Sequence, residues 1–190
     1  MRKLRKGFTL VEVIIVLAIS AIVLGLVYSI LSGTTRSSVT SEVKSTLQGE
    51  AGTIQNELVN IGTQCKIIEE IVDSNGVDRT NLEYSNLGSE SKLSIREVKM
   101  QFHDGSVYKL YLDNNILKLT NSTSASTKIL AKHVKEIYIR PLDLNTTTST
   151  VPTLDTTNGL QFMIKLKMKK GFSDIESDVD VIVKFRNKGI

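Results

Sequence analysis

Hydrophobic positions fall into three regimes along the 190-residue chain. Phe8 to Leu31 reads FTLVEVIIVLAISAIVLGLVYSIL, an almost uninterrupted apolar run. From Val39 the apolar positions recur at steps of three and four, through Val43, Leu47, Ala51, Ile54, Leu58 and Ile61, which marks one face of an amphipathic helix. The other face carries Glu42, Lys44, Gln48, Glu50, Gln55 and Glu57. No proline occurs before Pro141. The two regimes therefore predict one helix from about Phe8 to about Ile61, roughly 80 Å long if unbroken. Gly25 and Gly33 are the places where it would bend.

After Gly62 the period switches to two, with β-branched and aromatic residues. Strands are predicted at Lys66 to Val72, Leu93 to His103, Ser106 to Leu112, Ile116 to Thr120, Lys135 to Leu144, Leu160 to Met168 and Val179 to Phe185. Asp73-Ser74-Asn75-Gly76, Asp104-Gly105 and Asp113-Asn114-Asn115 supply turns. Asn145 to Thr157 is Thr-rich, holds Pro152 and reads as an exposed loop. The expected fold is α+β: a long N-terminal helix, its second half laid on a mostly antiparallel sheet. The organisation is a leader at 1–7, a membrane helix at 8–32, its amphipathic continuation at 33–62, and a β-rich head at 63–190.

Charge sharpens the reading of the first segment. Arg2, Lys3, Arg5 and Lys6 precede the apolar run. As a helix Phe8–Leu31 is about 36 Å long, enough to cross a bilayer core of about 30 Å. It is too long for the apolar region of a secretory signal, and no cleavage site of the A-x-A kind stands just beyond it. The basic head should stay in the cytoplasm, with the remainder outside the membrane. Glu12 interrupts the run. A carboxylate there costs about 2.5–3.5 kcal/mol at the centre of a membrane helix, and less near the interface, so it either stays near the interface or finds a partner.

Basic residues, Gly7, then Phe8-Thr9-Leu10-Val11-Glu12 and an apolar helix together resemble the class III signal of type IV pilins and pseudopilins. The resemblance covers roughly the first 30 residues. It implies cleavage between Gly7 and Phe8 by a prepilin peptidase and N-methylation of Phe8. It also implies retention of the apolar segment, first in the membrane and then in a filament core. Glu12 would then pair with the new amine of a neighbouring subunit, where a low dielectric makes a charge pair strong and an unpaired charge costly. Its presence argues against the K-type pseudopilins, which lack this residue. More weakly, the order of head strands and the Phe185-Arg186-Asn187 ending resemble PilW-type minor pilins and J-type minor pseudopilins. The implied partners are other pilin or pseudopilin subunits, the prepilin peptidase, an inner-membrane assembly platform and the lipid bilayer. The implied function is that of a minor pilin. The alternatives are a minor pseudopilin of type II secretion and a single-pass anchored adhesin or receptor domain.

Composition removes other classes. The chain carries 24 basic and 20 acidic side chains, a net of +4; loss of the four leader cations leaves 20 against 20. The basic balance is therefore not a nucleic-acid signal, and no nucleic-acid partner is expected. One Cys excludes an intrachain disulfide, and two His leave little scope for a histidine metal site. His103 reads as a turn residue, His133 as a surface or satisfied polar residue, and Cys65 as a small core residue. Asp174, Glu176, Asp178 and Asp180 lack calcium-loop spacing and read as a solvated strand face, as do Lys165, Lys167 and Lys169. The motifs at Asn121 and Asn145 match a glycosylation acceptor pattern that carries no such meaning in a bacterial protein. No P-loop, dinucleotide fingerprint, HExxH or GxSxG occurs. No enzymatic activity, cofactor or metal is expected.

Overall fold

The computed structural model of the chain describes residues 9–87, 91–143 and 153–185. A single helix, α1, runs Leu10–Gln64, about 80 Å at 1.5 Å per residue. It continues unbroken through Gly25 and Gly33, the two expected bends. In the polar stretch after Leu31 the threonine hydroxyls bond back onto carbonyls of the preceding turn. Thr34 Oγ1 donates to Ile30 O and Thr35 Oγ1 to Leu31 O, both at 2.9 Å. Val43, Leu47, Ile54, Leu58 and Ile61 are buried, and Val39 and Ala51 half-buried, as the stripe predicted. The helix ends where the Cys65 N–H donates to Gly62 O and the chain becomes extended. It therefore runs three residues past the expected Ile61, straight into the first strand.

Among the described residues, eight antiparallel strands form the head: β1 Cys65–Asp73, β2 Leu93–Phe102, β3 Val107–Asp113, β4 Ile116–Asn121, β5 Ser126–Ala131, β6 Val134–Pro141, β7 Gly159–Lys170 and β8 Ser173–Lys184. Their order in the sheet is β5-β4-β3-β2-β6-β7-β8, with β1 also on β2. β2 is the branch point. Its first residues pair with β6 (Leu93 with Ile139, Ser94 with Tyr138), and the rest pairs with β1 on the same side, opposite β3. α1 packs on β5 at one end of this order and on β7 and β8 at the other. The sheet thus curls so that both ends return to the helix, and the core lies between them.

Several elements differ from expectation. β5 was not expected, because its turn carries no glycine. Ala125 takes the left-handed position (φ 53), and Asn121 Oδ1 accepts from the Thr123 and Ser124 amides. β8 begins at Ser173 rather than Val179; its first half alternates charges instead of apolar residues, which hides the strand. β6 stops at Pro141 rather than Leu144, which lies outside the described residues. The end of the Thr-rich segment is not an exposed loop: Leu154 and Thr157 are fully buried. The rest of that segment, including Asn145 and Pro152, lies outside the described residues.

Candidate functional site

The N-terminus of α1 is a capping box. Thr9 is extended (φ −78°, ψ 151°), and its Oγ1 accepts from the Glu12 N–H at 3.3 Å. Glu12 Oε2 in turn accepts from the Thr9 N–H and from Thr9 Oγ1, each at 3.0 Å. Two of the first turn's amide donors are thereby satisfied within the chain. Gly7 and Phe8 themselves lie outside the described residues. A carboxylate at a helix N-terminus also meets the positive end of the helix dipole, which favours its charged form.

Beyond this cap the helix presents apolar side chains on all sides. Leu10, Val11, Ile14, Leu17, Ile22 and Leu26 are among those exposed, and the burying of its surface begins only near Val39. α1 is long and apolar enough to cross a membrane in this first part. A helix that is hydrophobic all round cannot remain in water; lipid or other helices must cover it.

The second half of α1 is fastened to the head by polar contacts that the amphipathic pattern did not reveal. Glu50, expected on the solvent face, is only 15% exposed in its side chain. Its Oε1 accepts from the Lys132 N–H at 3.1 Å and lies 2.8 Å from His133 Nδ1. Glu57 pairs with Lys128 of β5, and Glu42 with Lys170 of β7. His133 is thus a satisfied polar residue, as read. Glu42, Glu50 and Glu57 carry no sequence mark that separates them from the other polar residues of that face; only the return of β5, the β5–β6 connection and β7 to the helix selects them.

Away from the helix, two carboxylates organise the head. Asp73, at the end of β1, is 4% exposed. Its Oδ1 accepts from the Asn75 and Val77 amides at 2.8 and 2.9 Å, and its Oδ2 from Arg79 Nε at 2.9 Å. The Val77 amide, then Arg79, hold its pKa below the ordinary carboxylate value. Asp143 accepts from Tyr84 OH at 2.6 Å, Thr157 Oγ1 at 2.7 Å and the Asn158 N–H at 3.2 Å. Burial pushes the Asp143 pKa up, but the Tyr84, Thr157 and Asn158 bonds outweigh it and the net direction is down. Burial, then the bond to Asp143, raises that of Tyr84. These groups clamp the two ends of the segment between β6 and β7 together, a structural task.

The remaining candidates fall into place. His103 is exposed in the β2–β3 turn. Cys65 is fully buried, its Sγ donating to Ile67 O at 3.5 Å. Three acidic residues of β8 face lysines of β7: Lys165 is opposite Asp178, Lys167 opposite Glu176 and Lys169 opposite Asp174, while Asp180 is opposite Met163. Lys167 Nζ lies 2.9 Å from Glu176 and 3.5 Å from Asp174. Cross-strand pairing accounts for the lysine alternation and for the acidic one up to Asp178.

Residues 2–28 match the family model of the prokaryotic N-terminal methylation motif. The motif takes in the basic leader, Gly7, Phe8, the Thr9–Glu12 cap and most of the apolar run. It supports a type IV pilin-like or pseudopilin subunit, a class whose members are structural and assemble with other such subunits. It stops well short of the head. No curated protein and no solved structure matches the chain.

Proposed function

We propose that this chain is a minor pilin-like, non-enzymatic subunit of a type IV pilus or related filament. The observation that carries this reading is the joining of two features on one helix. The methylation motif lies on its first part, whose apolar surface is uncovered all round, and a large sheet is fastened to its second part. In this reading the leader stays in the cytoplasm and the helix anchors the subunit in the inner membrane, with the head outside. A prepilin peptidase hydrolyses the Gly7–Phe8 peptide bond, and the released amine of Phe8 is methylated. The apolar segment then leaves lipid for the filament core, where helices of neighbouring subunits cover it. Within one chain Glu12 is occupied by its own cap. Entry into the filament exchanges this partner for the amine of a neighbour, which penalises axial misregister by leaving charges unpaired.

The deciding measurement is the mass of the N-terminal peptide of the protein recovered from membranes. A peptide beginning at N-methylated Phe8 supports prepilin processing. An intact Met1, in a host whose peptidase is active, overturns it in favour of an anchored extracellular domain. The head favours a minor rather than a major subunit. Its eight strands on about 130 residues exceed the short Gly- and Ala-rich head expected of a shaft protein, and labelling of assembled filaments for this chain against the bulk subunit tests that choice.

A further inference from the structure

The turn joining β7 to β8 holds its aromatic residue outward. Phe172, at the tip, is 89% exposed, whereas Phe102, Phe162 and Phe185 are buried. Gly171 beside it takes a positive φ of 56°, which makes the tight turn possible. The tip is fixed to α1 rather than projecting freely. The Arg36 guanidinium lies 5.1 Å from the Phe172 ring centroid. Ser173 Oγ and Thr40 Oγ1 are 2.7 Å apart, and Lys170 pairs with Glu42.

These contacts direct the tip along the helix toward its apolar end. Phe172 lines an open cleft of about 370 Å³ with Tyr28, Leu31, Ser32, Thr35 and Arg36. The tip therefore reaches past Val39, where the helix emerges from the head, to the level of the last apolar turns. Arg36 is five residues beyond Leu31, about 7.5 Å along the axis. The polar layer of a bilayer is roughly 5–7 Å thick on each side of its hydrocarbon core. With the apolar run in hydrocarbon, Tyr28 lies at the boundary, where membrane helices carry aromatic belts. The Arg36 Cα then lies at the outer edge of the headgroup layer, while Phe172, beside Tyr28 and Leu31, lies nearer the boundary with the acyl chains, and Lys169 and Lys170 at the end of β7 are exposed.

We propose that the β7–β8 turn is a second membrane contact. Phe172 enters the boundary between headgroups and acyl chains of the bilayer that α1 crosses, and Arg36 and Lys169 lie against anionic headgroups. The head is thereby seated on the membrane surface in one orientation while the subunit awaits assembly. The occupant is lipid because the cleft is continuous with the membrane-crossing surface of the helix. The proposal rests on the reading of Phe8–Leu31 as a membrane span.

The chain contains no tryptophan, so single substitutions report on their own positions. Full-length Phe172→Trp and, separately, Leu17→Trp are reconstituted in vesicles of phosphatidylcholine and phosphatidylglycerol with lipids brominated either just below the headgroup or deep in the acyl chain. The expected result for Phe172→Trp is blue-shifted emission, quenched most by the shallow bromines and unchanged as protein is diluted in lipid. Leu17→Trp should be quenched most by the deep bromines. Phe172→Trp emission that stays water-like and unquenched while Leu17→Trp is quenched would overturn the contact and leave the span intact. Quenching of neither would remove both. Shielding of Phe172→Trp that grows with protein density, without bromine quenching, would assign the turn to a second copy of the chain and likewise overturn the lipid contact.

Discussion

Gly62, near the end of α1, lies so close to Val183 of β8 that a Cβ at Gly62 would stand 1.7 Å from Val183 Cγ1. Val183 is 2% exposed and belongs to the core. Where the helix and the last strand meet, backbone therefore touches side chain with no intervening atom. This closeness brings one end of the sheet onto the helix.

Gly62→Ala should accordingly destabilise the protein. The substitution gains up to about 1 kcal/mol of helix propensity, but overpacking a core contact costs about 1–3 kcal/mol. The clash falls on a branched side chain with little room to move. A lowered midpoint of thermal unfolding, followed by circular dichroism of the detergent-solubilised chain, is the expected result. Val183→Ala should be destabilising alone, yet should recover part of the Gly62→Ala loss when the two are combined. Strict additivity of the two changes would show that the contact is not the cause.

Glu50 should matter more than its neighbours on the helix. Glu50→Ala removes the acceptor of the Lys132 amide and the partner of His133 at the junction of helix and head. Loss of a half-buried charged acceptor costs about 1–3 kcal/mol. Gln48→Ala, on the exposed face, should stay within about 0.5 kcal/mol of the parent. Equal melting of the two variants would reduce Glu50 to a surface residue.

Acid should unfold the head through Asp73 and Asp143. Both carboxyls have folded pKa values below the ordinary one. The native state thus binds their protons less readily than the unfolded chain, in which an Asp titrates near about 3.9. Their contribution is fully present above that unfolded value and is lost as pH falls through the folded ones. Stability in denaturant should be flat near neutrality and fall below about pH 4. Asp73→Asn and Asp143→Asn should each be less stable at neutral pH, with a shallower acid loss than the parent. An unchanged acid slope in both would assign acid unfolding to other groups.

Much of this architecture is legible in the sequence because two periods are clean. The stripe from Val39 to Ile61 is the face that packs, and the turns at Gly76, Gly105 and Asn114-Asn115 all take positive φ. What escaped reading depends on partners remote in the chain. β5 turns at Ala125 without a glycine, and the first half of β8 has charges where a strand usually shows apolar residues. Glu50 and Phe172 look like any exposed glutamate and any core phenylalanine until the curled sheet places one under β5 and β6 and the other outside. At the N-terminus the motif was plain. That Glu12 closes a cap with Thr9 follows from the Thr-x-x-Glu spacing, which the resemblance to a pilin signal overshadowed.

That cap separates two roles for Glu12. As a capping residue it needs only an acceptor, which a glutamine retains. As the partner of a neighbouring amine it needs its charge. Glu12→Gln should therefore insert in the membrane and be processed, yet fail to enter filaments, because an amide cannot neutralise an amine in a low-dielectric core. Thr9→Ala removes the cap's hydroxyl, at a cost of about 1 kcal/mol of helix-end stability, but leaves the charge in place and should still assemble. Subunit recovered in sheared filaments, compared with that left in membranes, reads both variants. Normal assembly of Glu12→Gln together with failure of Thr9→Ala would reverse the assignment. Glu12 would then serve by ordering the first turn of its own helix, and register would have to come from the apolar surfaces.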